Sequence, residues 1–323
     1  IDAVDRAGAK EMRVVVGHGE KLVRQVVEPL GAVCFKQVQQ RGTADAVTSA
    51  QPDTVDGPVL VLNGDHPLLR TEDISNIIKE FVNSNSSLAV VTAKLKKPGS
   101  FGRVVRYHDQ LRAIVEAKDA SSETLKINEI NTGIYVIKSE VLQEYLPQIG
   151  SHNAQGEFYF TDIVGLCAEN SEPMSTITCG SHVAFGVNSQ RELARATQLV
   201  FRRKTNQLLD EGVVIIDPAT TYIEDDVKIG EATVIYPGNY LRSGTEIGKY
   251  CVLEPNCYLA KAKLSDSVQI RAGSYIEDTT IKDRAVVGPY ARLRPKTTIG
   301  EEAKVGNFVE MKKVNFAAGA KAG

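Results

Sequence analysis

The stretch "TVIYPGNYLRSGTEIGKYCVLEPNCYLA", residues 233–260, decides how the second half of this chain folds. An aliphatic residue recurs in it at intervals of six, and the period continues from residue 223 to residue 311 with two five-residue steps. The sixteen positions are Ile223, Ile229, Ile235, Leu241, Ile247, Leu253, Leu259, Leu264, Ile270, Ile276, Ile281, Val287, Leu293, Ile299, Val305 and Met311.

A repeat of six residues is typical of a parallel β-helix, in which three hexapeptides form one triangular coil. The aliphatic side chains point inward and stack into a continuous core, while the backbone pairs with the coils above and below. At roughly eighteen residues for each coil, residues 223–311 predict about five coils. The alternative, an amphipathic β-sandwich with chance spacing, does not account for so long a repeat.

Residues 1–188 follow another pattern, in which short β-branched runs alternate with amphipathic helical stretches. The segment "GPVLVLNGD" (57–65) predicts a buried strand, and "TEDISNIIKEFVNSN" (71–85) predicts a helix with Thr71 as its N-cap. Such alternation predicts a largely parallel sheet covered by helices on both faces. A hairpin is expected within residues 102–119, and a long helix over residues 189–212 is expected to link the two halves.

The overall composition excludes several classes of protein. The 323 residues carry 38 Lys and Arg against 40 Asp and Glu, a formal net charge of −2 that offers no general surface for nucleic acid. No apolar run is long enough for a membrane span. Five scattered cysteines without C-x-x-C spacing predict a reduced compartment and no zinc site. We therefore expect a cytoplasmic protein with no nucleic-acid partner and no membrane insertion.

A candidate cation site follows the buried strand in "VLVLNGDHPLL", residues 59–69. Asp65 comes just past the carboxyl end of that strand, the edge at which open parallel sheets bind ligands. A carboxylate in this place can hold Mg²⁺ against phosphate oxygens. Asn63, Gly64 and Asp65 can equally form a simple turn, and the motif alone leaves both interpretations open.

A candidate nucleotide site lies upstream in "FKQVQQRGTADAV", residues 35–47. The side-chain amides of Gln37 and Gln40 match the paired donor and acceptor of a pyrimidine edge. Gly42 and Thr43 open a helix, whose first N–H groups suit a phosphate. An ordinary strand, turn and helix is the alternative.

Small polar residues also recur at strand ends further along, at Gly102, Glu116, Asn131 and in "NAQGEFYFTDIV" (153–164). Amide and carboxylate groups of this kind suit the hydroxyls and the acetamido group of a sugar. Each of them alone is more often part of a turn or a cap.

The repeat half carries one cluster of basic residues, in "GPYARLRPKTTIGEEAKVGNFVEMKK" (288–313). Arg294 and Lys312 are separated by the length of one coil, so their side chains are expected to stack on one side of the prism. A solvated face is the alternative, because charged side chains point outward from such a helix in any case.

The segments "QRGTADAV", "NGDHPLL", "FGRVVR", "IVEAKDA", "EINTGIYV", "NAQGEFYFTDIV", "GVNSQREL", "GPYARLRP" and "VGNFVEMKK" occur in the order and approximate spacing of a known family. Over nearly its whole length the chain resembles the bifunctional N-acetylglucosamine-1-phosphate uridylyltransferase / glucosamine-1-phosphate N-acetyltransferases of bacterial cell-wall precursor synthesis. The resemblance implies an α/β chain. A Rossmann-like nucleotidyltransferase domain would span 1–188, a linker helix 189–212, and a left-handed parallel β-helix, part of an acetyltransferase domain, 213–323.

The resemblance also implies two reactions and a homotrimer. UTP and N-acetylglucosamine 1-phosphate would form UDP-N-acetylglucosamine with Mg²⁺, and acetyl-CoA would acetylate glucosamine 1-phosphate. Two alternatives remain open. One is a sugar nucleotidyltransferase that uses a different nucleotide or hexose, and the other is a non-catalytic trimeric scaffold.

The same resemblance gives roles to individual residues, most of which the motifs had already indicated. The implied contacts are uridine at Gln37, Gln40, Gly42 and Thr43, Mg²⁺ at Asp65 and Asn188, the acetamido sugar at Gly102, Glu116 and Asn131, and the phosphate of the acetyltransferase substrate at Arg294 and Lys312. Asn63 and Gly64 would line the same substrate site as Asp65, although some members of the family carry an aromatic residue in place of Asn63.

Two features of the family have no counterpart in this sequence. One is its Gly-rich phosphate loop with the strand before it, and the other is its acetyltransferase histidine, which would follow Gly323. We therefore expect a piece of a longer enzyme, with a gap in its first sheet and with both activities impaired.

Overall fold

The structure is a computed structural model that describes residues 1–323. The chain forms two compact units, Ile1–Ser189 and Gln190–Gly323. None of its helices combines the length and the apolar character that crossing a membrane requires.

The helices and the strands of the first unit alternate over residues 2–94, after which three further strands follow one another before the next α-helix. The helices are α1 (Asp2–Arg6), α2 (Glu20–Val27), α3 (Thr43–Ser49), α4 (Thr71–Ser84), α5 (Ser139–Tyr145), α6 (Asp162–Glu169) and, in the second unit, α7 (Gln190–Asp210). The strands of the first unit are β1 (Arg13–Val16), β2 (Val33–Lys36), β3 (Pro58–Val61), β4 (Leu88–Lys94), β5 (Arg103–Tyr107), β6 (Gln110–Val115), β7 (Glu129–Lys138) and β8 (Met174–Thr178).

The first unit contains two separate sheets. Strands β1 and β2 form a parallel pair, and the larger sheet has the order β6-β5-β7-β4-β8 with β3 also paired to β7. In the larger sheet β4 and β8 form the one parallel ladder, whereas β7 is antiparallel to β3, β4 and β5, so that β3, β4, β5 and β8 all run in the same direction. The expectation of a largely parallel sheet therefore holds for the direction of most strands but is wrong for their pairing, because most ladders of the larger sheet are antiparallel. The chain turns back through the β5–β6 hairpin into β7, and antiparallel neighbours need no long crossover.

The larger sheet is covered on both faces, as the alternating pattern predicts. Ala89 and Val91 belong to the apolar cluster that includes α4, while Leu88 and Val90 belong to the cluster of α5 and α6. This follows from the period of two along a strand. The boundary prediction for α4 was off by one residue, since Thr71 is its first residue. The N-cap is Arg70, and its backbone N–H donates to Asp73.

The second unit consists of α7 and nineteen short strands. These are β9 (Val214–Ile215), β10 (Tyr222–Ile223), β11 (Lys228–Ile229), β12 (Val234–Ile235), β13 (Tyr240–Leu241), β14 (Glu246–Ile247), β15 (Val252–Leu253), β16 (Tyr258–Ala260), β17 (Lys263–Leu264), β18 (Gln269–Ile270), β19 (Tyr275–Glu277), β20 (Thr279–Ile281), β21 (Val286–Val287), β22 (Arg292–Leu293), β23 (Thr297–Ile299), β24 (Lys304–Val305), β25 (Glu310–Met311), β26 (Asn315–Phe316) and β27 (Lys321–Ala322).

These strands form three parallel sheets, with the orders β10-β13-β16-β19-β22-β25, β11-β14-β17-β20-β23-β26 and β27-β24-β21-β18-β15-β12-β9. All sixteen aliphatic residues of the repeat are buried in one continuous core, which confirms the predicted parallel β-helix, and the arrangement is consistent with the left-handed form. The sheets hold six, six and seven strands rather than the five coils expected, because β9, β26 and β27 extend the stack beyond residues 223–311.

Each coil turns its corners through residues in the left-handed backbone region. Tyr250, Asn256 and Lys261 occupy three successive corners with φ of 57°, 61° and 51°. Each five-residue step of the repeat shortens a coil by one residue. Tyr240 pairs with Tyr258, 18 residues later, whereas Tyr258 pairs with Tyr275, 17 residues later. The core therefore stays continuous through the shorter coil.

The helix expected over residues 189–212 is α7, and it packs within the second unit. Leu208 lies in the core of the β-helix, and the ring of Phe201 meets the edge of Tyr222 with a centroid separation of 5.5 Å. The helix therefore covers the first coils of the β-helix.

Two substitutions in β17 test how the β-helix is stabilised. Leu264 points into the core and Lys263, its neighbour, points to solvent. We expect Leu264→Ala to lower the free energy of unfolding by about 2–5 kcal/mol, because it leaves a cavity in a closely packed stack. Lys263→Ala should change it by no more than about 0.5 kcal/mol. Urea denaturation followed by circular dichroism measures both, and equal effects of the two would contradict the assigned facing.

Candidate functional site

A close backbone contact joins the candidate nucleotide segment to the candidate sugar segment. Gly42 has φ 128° and ψ −180°, and a Cβ atom built on it would lie 2.5 Å from the carbonyl oxygen of Phe158. The N–H of Ala44 donates to that carbonyl at 2.9 Å, and the N–H of Phe160 donates to Oγ1 of Thr43 at 2.9 Å. The two segments therefore lie side by side, and the Thr43 hydroxyl already accepts one hydrogen bond.

The two candidate glutamines differ in how they are held. Nε2 of Gln37 donates to Oδ2 of Asp45 at 2.8 Å and to the carbonyl of Gly42 at 3.1 Å. A pyrimidine would therefore have to meet the side-chain carbonyl of Gln37. Nε2 of Gln40 lies 2.5 Å from the position that a Cβ on Gly17 would occupy, at the end of β1. Burial alone would raise the pKa of Asp45, but hydrogen bonds from Gln37 and a neighbouring arginine outweigh it and hold that pKa below its usual value.

The candidate cation ligands Asp65 and Asn188 border the same space. The N–H of Val187 donates to the backbone carbonyl of Asp65 at 3.0 Å. A Cβ on Gly186 would lie 2.9 Å from Oδ2 of Asp65 and 3.7 Å from Nδ2 of Asn188, so the absence of a side chain there leaves room between them. The Asp65 carboxylate is a hard oxygen donor that suits Mg²⁺, and Asn188 would ligate through its amide carbonyl once a flip of the amide exchanged Oδ1 for the Nδ2 that now lies near Gly186.

The chain contains no cluster of His, Cys, Asp and Glu side chains typical of a metal site. No three His, Cys, Asp or Glu side chains lie together in a group that could hold a metal ion. Nδ2 of Asn63, two residues before Asp65, lies against the position that a Cβ on Gly133 of β7 would occupy.

His66 is a residue that the sequence pattern did not single out. Its side chain is only 6% exposed, its Nε2 lies 3.7 Å from Oδ1 of Asp65, and its Nδ1 is buried without a hydrogen-bond partner. Burial lowers the pKa of the imidazole, and the nearby Asp65 carboxylate offsets part of that shift. The signal available in the sequence was a titratable residue directly before an apolar Pro-Leu-Leu run and directly after a candidate ligand.

Gly102, Glu116 and Asn131 come together at the other end of the site. A Cβ on Gly102 would lie 3.2 Å from Oε1 of Glu116, and the N–H of Asn131 donates to the carbonyl of Gly102 at 2.9 Å. The side chain of Asn131 is held by its neighbours, since Nδ2 donates to the Tyr135 hydroxyl at 2.7 Å and Oδ1 accepts from the N–H of Gly133 at 3.0 Å. Its orientation is thus fixed before any ligand arrives.

Glu116 lies in a group of acidic side chains. Burial raises the pKa of Glu116, the adjacent Thr161 hydroxyl offsets part of that rise, and the negative charges of Asp119 and Asp162 add smaller increases. Burial likewise raises the pKa of Asp162. The hydroxyl of Thr161 is buried and has no partner at hydrogen-bonding geometry. Thr161 and Asp162 lie within the motif "NAQGEFYFTDIV", but the motif alone did not distinguish them from its other residues.

The loop that carries this motif is tied to the strand end beside Glu116. Oδ1 of Asp119 accepts from the N–H of Ala154 at 2.8 Å. Within the loop, Oδ1 of Asn153 accepts from the N–H groups of Gln155 and Glu157 at 3.2 and 3.1 Å. The sugar side of the site is therefore bounded by a closed loop with its own hydrogen bonds.

Arg294 and Lys312 occupy equivalent places in neighbouring coils of the second unit. Strands β22 and β25 pair with Arg292 opposite Glu310, and the N–H of Arg294 donates to the carbonyl of Met311 at 2.9 Å. Nη1 of Arg294 also forms a 3.1 Å ion pair with Glu310, of which both side chains are partly exposed. Exposed pairs of this kind contribute little, about 0–1 kcal/mol, so an anion could displace it.

Comparisons with known proteins agree on both units. A family model described as nucleotidyl transferase matches residues 16–180, and one described as bacterial transferase hexapeptide (six repeats) matches residues 226–261. Three relatives, each named bifunctional protein GlmU, are similar over almost the whole chain. They come from Bdellovibrio bacteriovorus (54% identical, covering 100% of this chain and 70% of the relative), Exiguobacterium sp. (39%, 100% and 72%) and Clostridium beijerinckii (36%, 99% and 71%).

The contact at Gly42 can be tested by adding a methyl group. The conformation of Gly42 is one that only glycine adopts readily, at a cost of about 1–3 kcal/mol for other residues, and the new Cβ would also meet the Phe158 backbone. We expect Gly42→Ala to lower the melting temperature of the first unit in differential scanning calorimetry.

The matched control is Gly165→Ala. Gly165 lies within α6 with no atom within 4 Å of its would-be Cβ, so alanine should leave stability unchanged or raise it by up to about 1 kcal/mol. Equal melting temperatures for the two variants would show that the contact at Gly42 does not contribute to stability.

The buried carboxyl of Glu116 predicts a particular dependence of stability on pH. Its pKa is raised above the ordinary value of 4.5, so the stability that accompanies its proton is complete below pH 4.5 and is lost as pH rises through the raised value. Glu116→Gln should therefore lose less stability than the wild type over this interval. Urea midpoints measured from pH 4 upward provide the test, with the exposed Glu123→Gln as control; parallel curves for wild type and Glu116→Gln would refute the assignment.

Proposed function

The chain belongs to the family of bifunctional GlmU proteins, and on that premise we propose that its first unit forms UDP-N-acetylglucosamine from UTP and N-acetylglucosamine 1-phosphate. The observation that carries this proposal is the contact of Gly42 with Phe158. It supports a single site in which a nucleotide lies against the 37–43 segment and a sugar lies against Glu116 and Asn131.

In this reaction a phosphate oxygen of the sugar attacks the α-phosphorus of UTP, and pyrophosphate leaves. The protein has little covalent work to do, so its contribution is to position the two phosphates and to balance their charge. Asp65 and Asn188 would hold Mg²⁺, which when bound neutralises charge on the phosphate oxygens. The Gly186 backbone leaves space for that ion because it has no side chain.

The sugar side is proposed to recognise hydroxyl and acetamido groups. Asn131 is buried and already oriented by Tyr135 and Gly133, so a ligand that meets its side chain would cost little conformational entropy. The unpartnered hydroxyl of Thr161 lies next to the Glu116 carboxyl, and a sugar hydroxyl can donate to one and accept from the other. Gly102 allows the ring to approach the backbone closely.

For the second unit we propose acetyl transfer from acetyl-CoA to the amine of glucosamine 1-phosphate. Arg294 and Lys312, in neighbouring coils, would hold the phosphate of that substrate. The reaction also needs a general base to accept the ammonium proton. We also propose that the protein is a homotrimer, which the hexapeptide repeat supports, and that it is cytoplasmic.

The proposed specificity is tested by equilibrium binding of nucleotide sugars to the 323-residue chain. We expect UDP-N-acetylglucosamine with Mg²⁺ to bind more tightly than UDP-glucose, dTDP-glucose or ADP-glucose. Loss of one buried hydrogen-bonding group costs about 1–3 kcal/mol, so the difference should be roughly 5- to 150-fold. Isothermal titration calorimetry gives the constants.

Asp65→Ala should remove the part of the affinity that depends on Mg²⁺, whereas Asp56→Ala, an exposed carboxylate in a loop, should not. Tighter binding of another nucleotide sugar would favour a different transferase specificity. Absence of Mg²⁺-dependent binding to every member of the panel would favour a non-catalytic scaffold.

A further inference from the structure

The two carboxylate oxygens of Asp65 face different neighbours. Oδ2 lies on the side of Gly186 and Asn188, where the proposed cation would bind. Oδ1 lies 3.7 Å from Nε2 of His66. The Asp65 side chain is 39% exposed and that of His66 only 6% exposed, so the imidazole meets the carboxylate from the interior of the unit.

The surroundings of the imidazole decide where its proton lies. Nδ1 of His66 is buried and has no hydrogen-bond partner. A proton on Nδ1 would leave a buried N–H group without an acceptor, and native structures almost never contain such a group. A proton on Nε2 leaves only an unpaired acceptor at Nδ1, which is tolerated more often, and it directs an N–H group at Oδ1 of Asp65.

We propose that His66 is a positioning residue for the cation site. Its Nε2–H donates to Oδ1 of Asp65 when a divalent cation occupies the other side, so that Oδ2 is held toward Asn188 as the coordinating oxygen. The 3.7 Å separation is longer than a hydrogen bond, so the proposed role requires a small rotation of the Asp65 carboxylate toward Nε2. Carboxylates that bind metals are usually hydrogen-bonded in this way, and loss of such a partner commonly weakens metal affinity by about 10- to 100-fold.

This inference rests on the proposed function in one respect, the role of Asp65 as a cation ligand. The imidazole itself is the competing ligand, because neutral histidine nitrogen also binds divalent ions. If His66 only positions Asp65, the metal is coordinated by an oxygen of Asp65 and by no atom of His66. If His66 is itself a ligand, an imidazole nitrogen coordinates the metal. Mn²⁺ distinguishes them, because it replaces Mg²⁺ at oxygen sites and is paramagnetic.

The experiment measures Mn²⁺ binding to the chain with saturating UDP-N-acetylglucosamine, by the electron paramagnetic resonance signal of free Mn²⁺. Mg²⁺ affinity follows by competition. His66→Gln keeps a neutral N–H donor near the place of Nε2, while His66→Asn is equally polar but too short to present one there, and His66→Leu removes it altogether. We expect Asn and Leu to weaken Mn²⁺ and Mg²⁺ affinity by about 10-fold or more and Gln to restore most of it.

Controls separate positioning from a general loss of structure. All three variants should keep the circular dichroism spectrum of the wild type, and the comparison of Gln with Asn stands even if His66→Leu fails to fold. Electron spin echo envelope modulation of bound Mn²⁺ should show no directly coordinated nitrogen from His66. A nitrogen coupling that disappears in His66→Gln would overturn the proposal in favour of direct ligation, and equal affinities for Gln and Asn would overturn it as well.

Asp65→Ala distinguishes failure of this inference from failure of the proposed site. If Asp65→Ala abolishes Mn²⁺ binding while His66→Asn and His66→Leu bind Mn²⁺ as the wild type does, the cation site stands and the positioning role is wrong. If Asp65→Ala binds Mn²⁺ normally, the cation site and the role of His66 are both refuted.

Discussion

The ladders that strand β7 forms with β3, β4 and β5 are the constraint on which the first unit depends. Successive residues of β7 are buried on opposite faces, Ile134 with the α4 cluster and Tyr135 with the α5 and α6 cluster. In the antiparallel register Val61 pairs with Tyr135, so the chain that leaves β3 runs toward Asn131 at the start of β7. Backbone pairing therefore sets the separation of the cation side from the sugar side.

The loops complete the site only because glycines let the backbone approach closely at a few points. Gly42 brings the 37–43 segment against Phe158, and Gly186 opens the space between Asp65 and Asn188. Both points lie outside the regular ladders, where no repeating hydrogen-bond pattern fixes the chain. Side-chain bonds take over there, such as the one from the N–H of Phe160 to Thr43. The sheet thus supplies a rigid frame, and single glycines determine how closely the binding segments meet.

Sequence periodicity predicted the β-helix more fully than the sheet for a physical reason. In a coil each aliphatic residue packs on its equivalent one coil away, so one local rule repeats along the unit, and all sixteen predicted positions are buried. The inward residue two places earlier was missed, because its chemical character varies from apolar Ala285 to polar Asn239. Its Nδ2 donates to the carbonyls of Tyr236 and Glu254 and so secures a corner. In the first unit, β-branched runs predicted strands but not their pairing, since the insertion of β7 between β3 and β4 depends on distant partners.

The sequence predicted which side chains could bind ligands in the site but not how they are arranged. Two buried atoms without hydrogen-bond partners, the Thr161 hydroxyl and Nδ1 of His66, show why. The Thr161 hydroxyl lies beside a carboxyl of raised pKa without completing a hydrogen bond, and the hydroxyl of the proposed sugar could complete one there. Nδ1 of His66 has a different consequence. Because no acceptor lies beside it, the imidazole proton is placed on Nε2, the nitrogen that faces Asp65. Neither property belongs to a residue type or to a spacing. Each depends on which hydrogen-bond partners lie within reach of a buried polar atom, and these are known only from the folded structure.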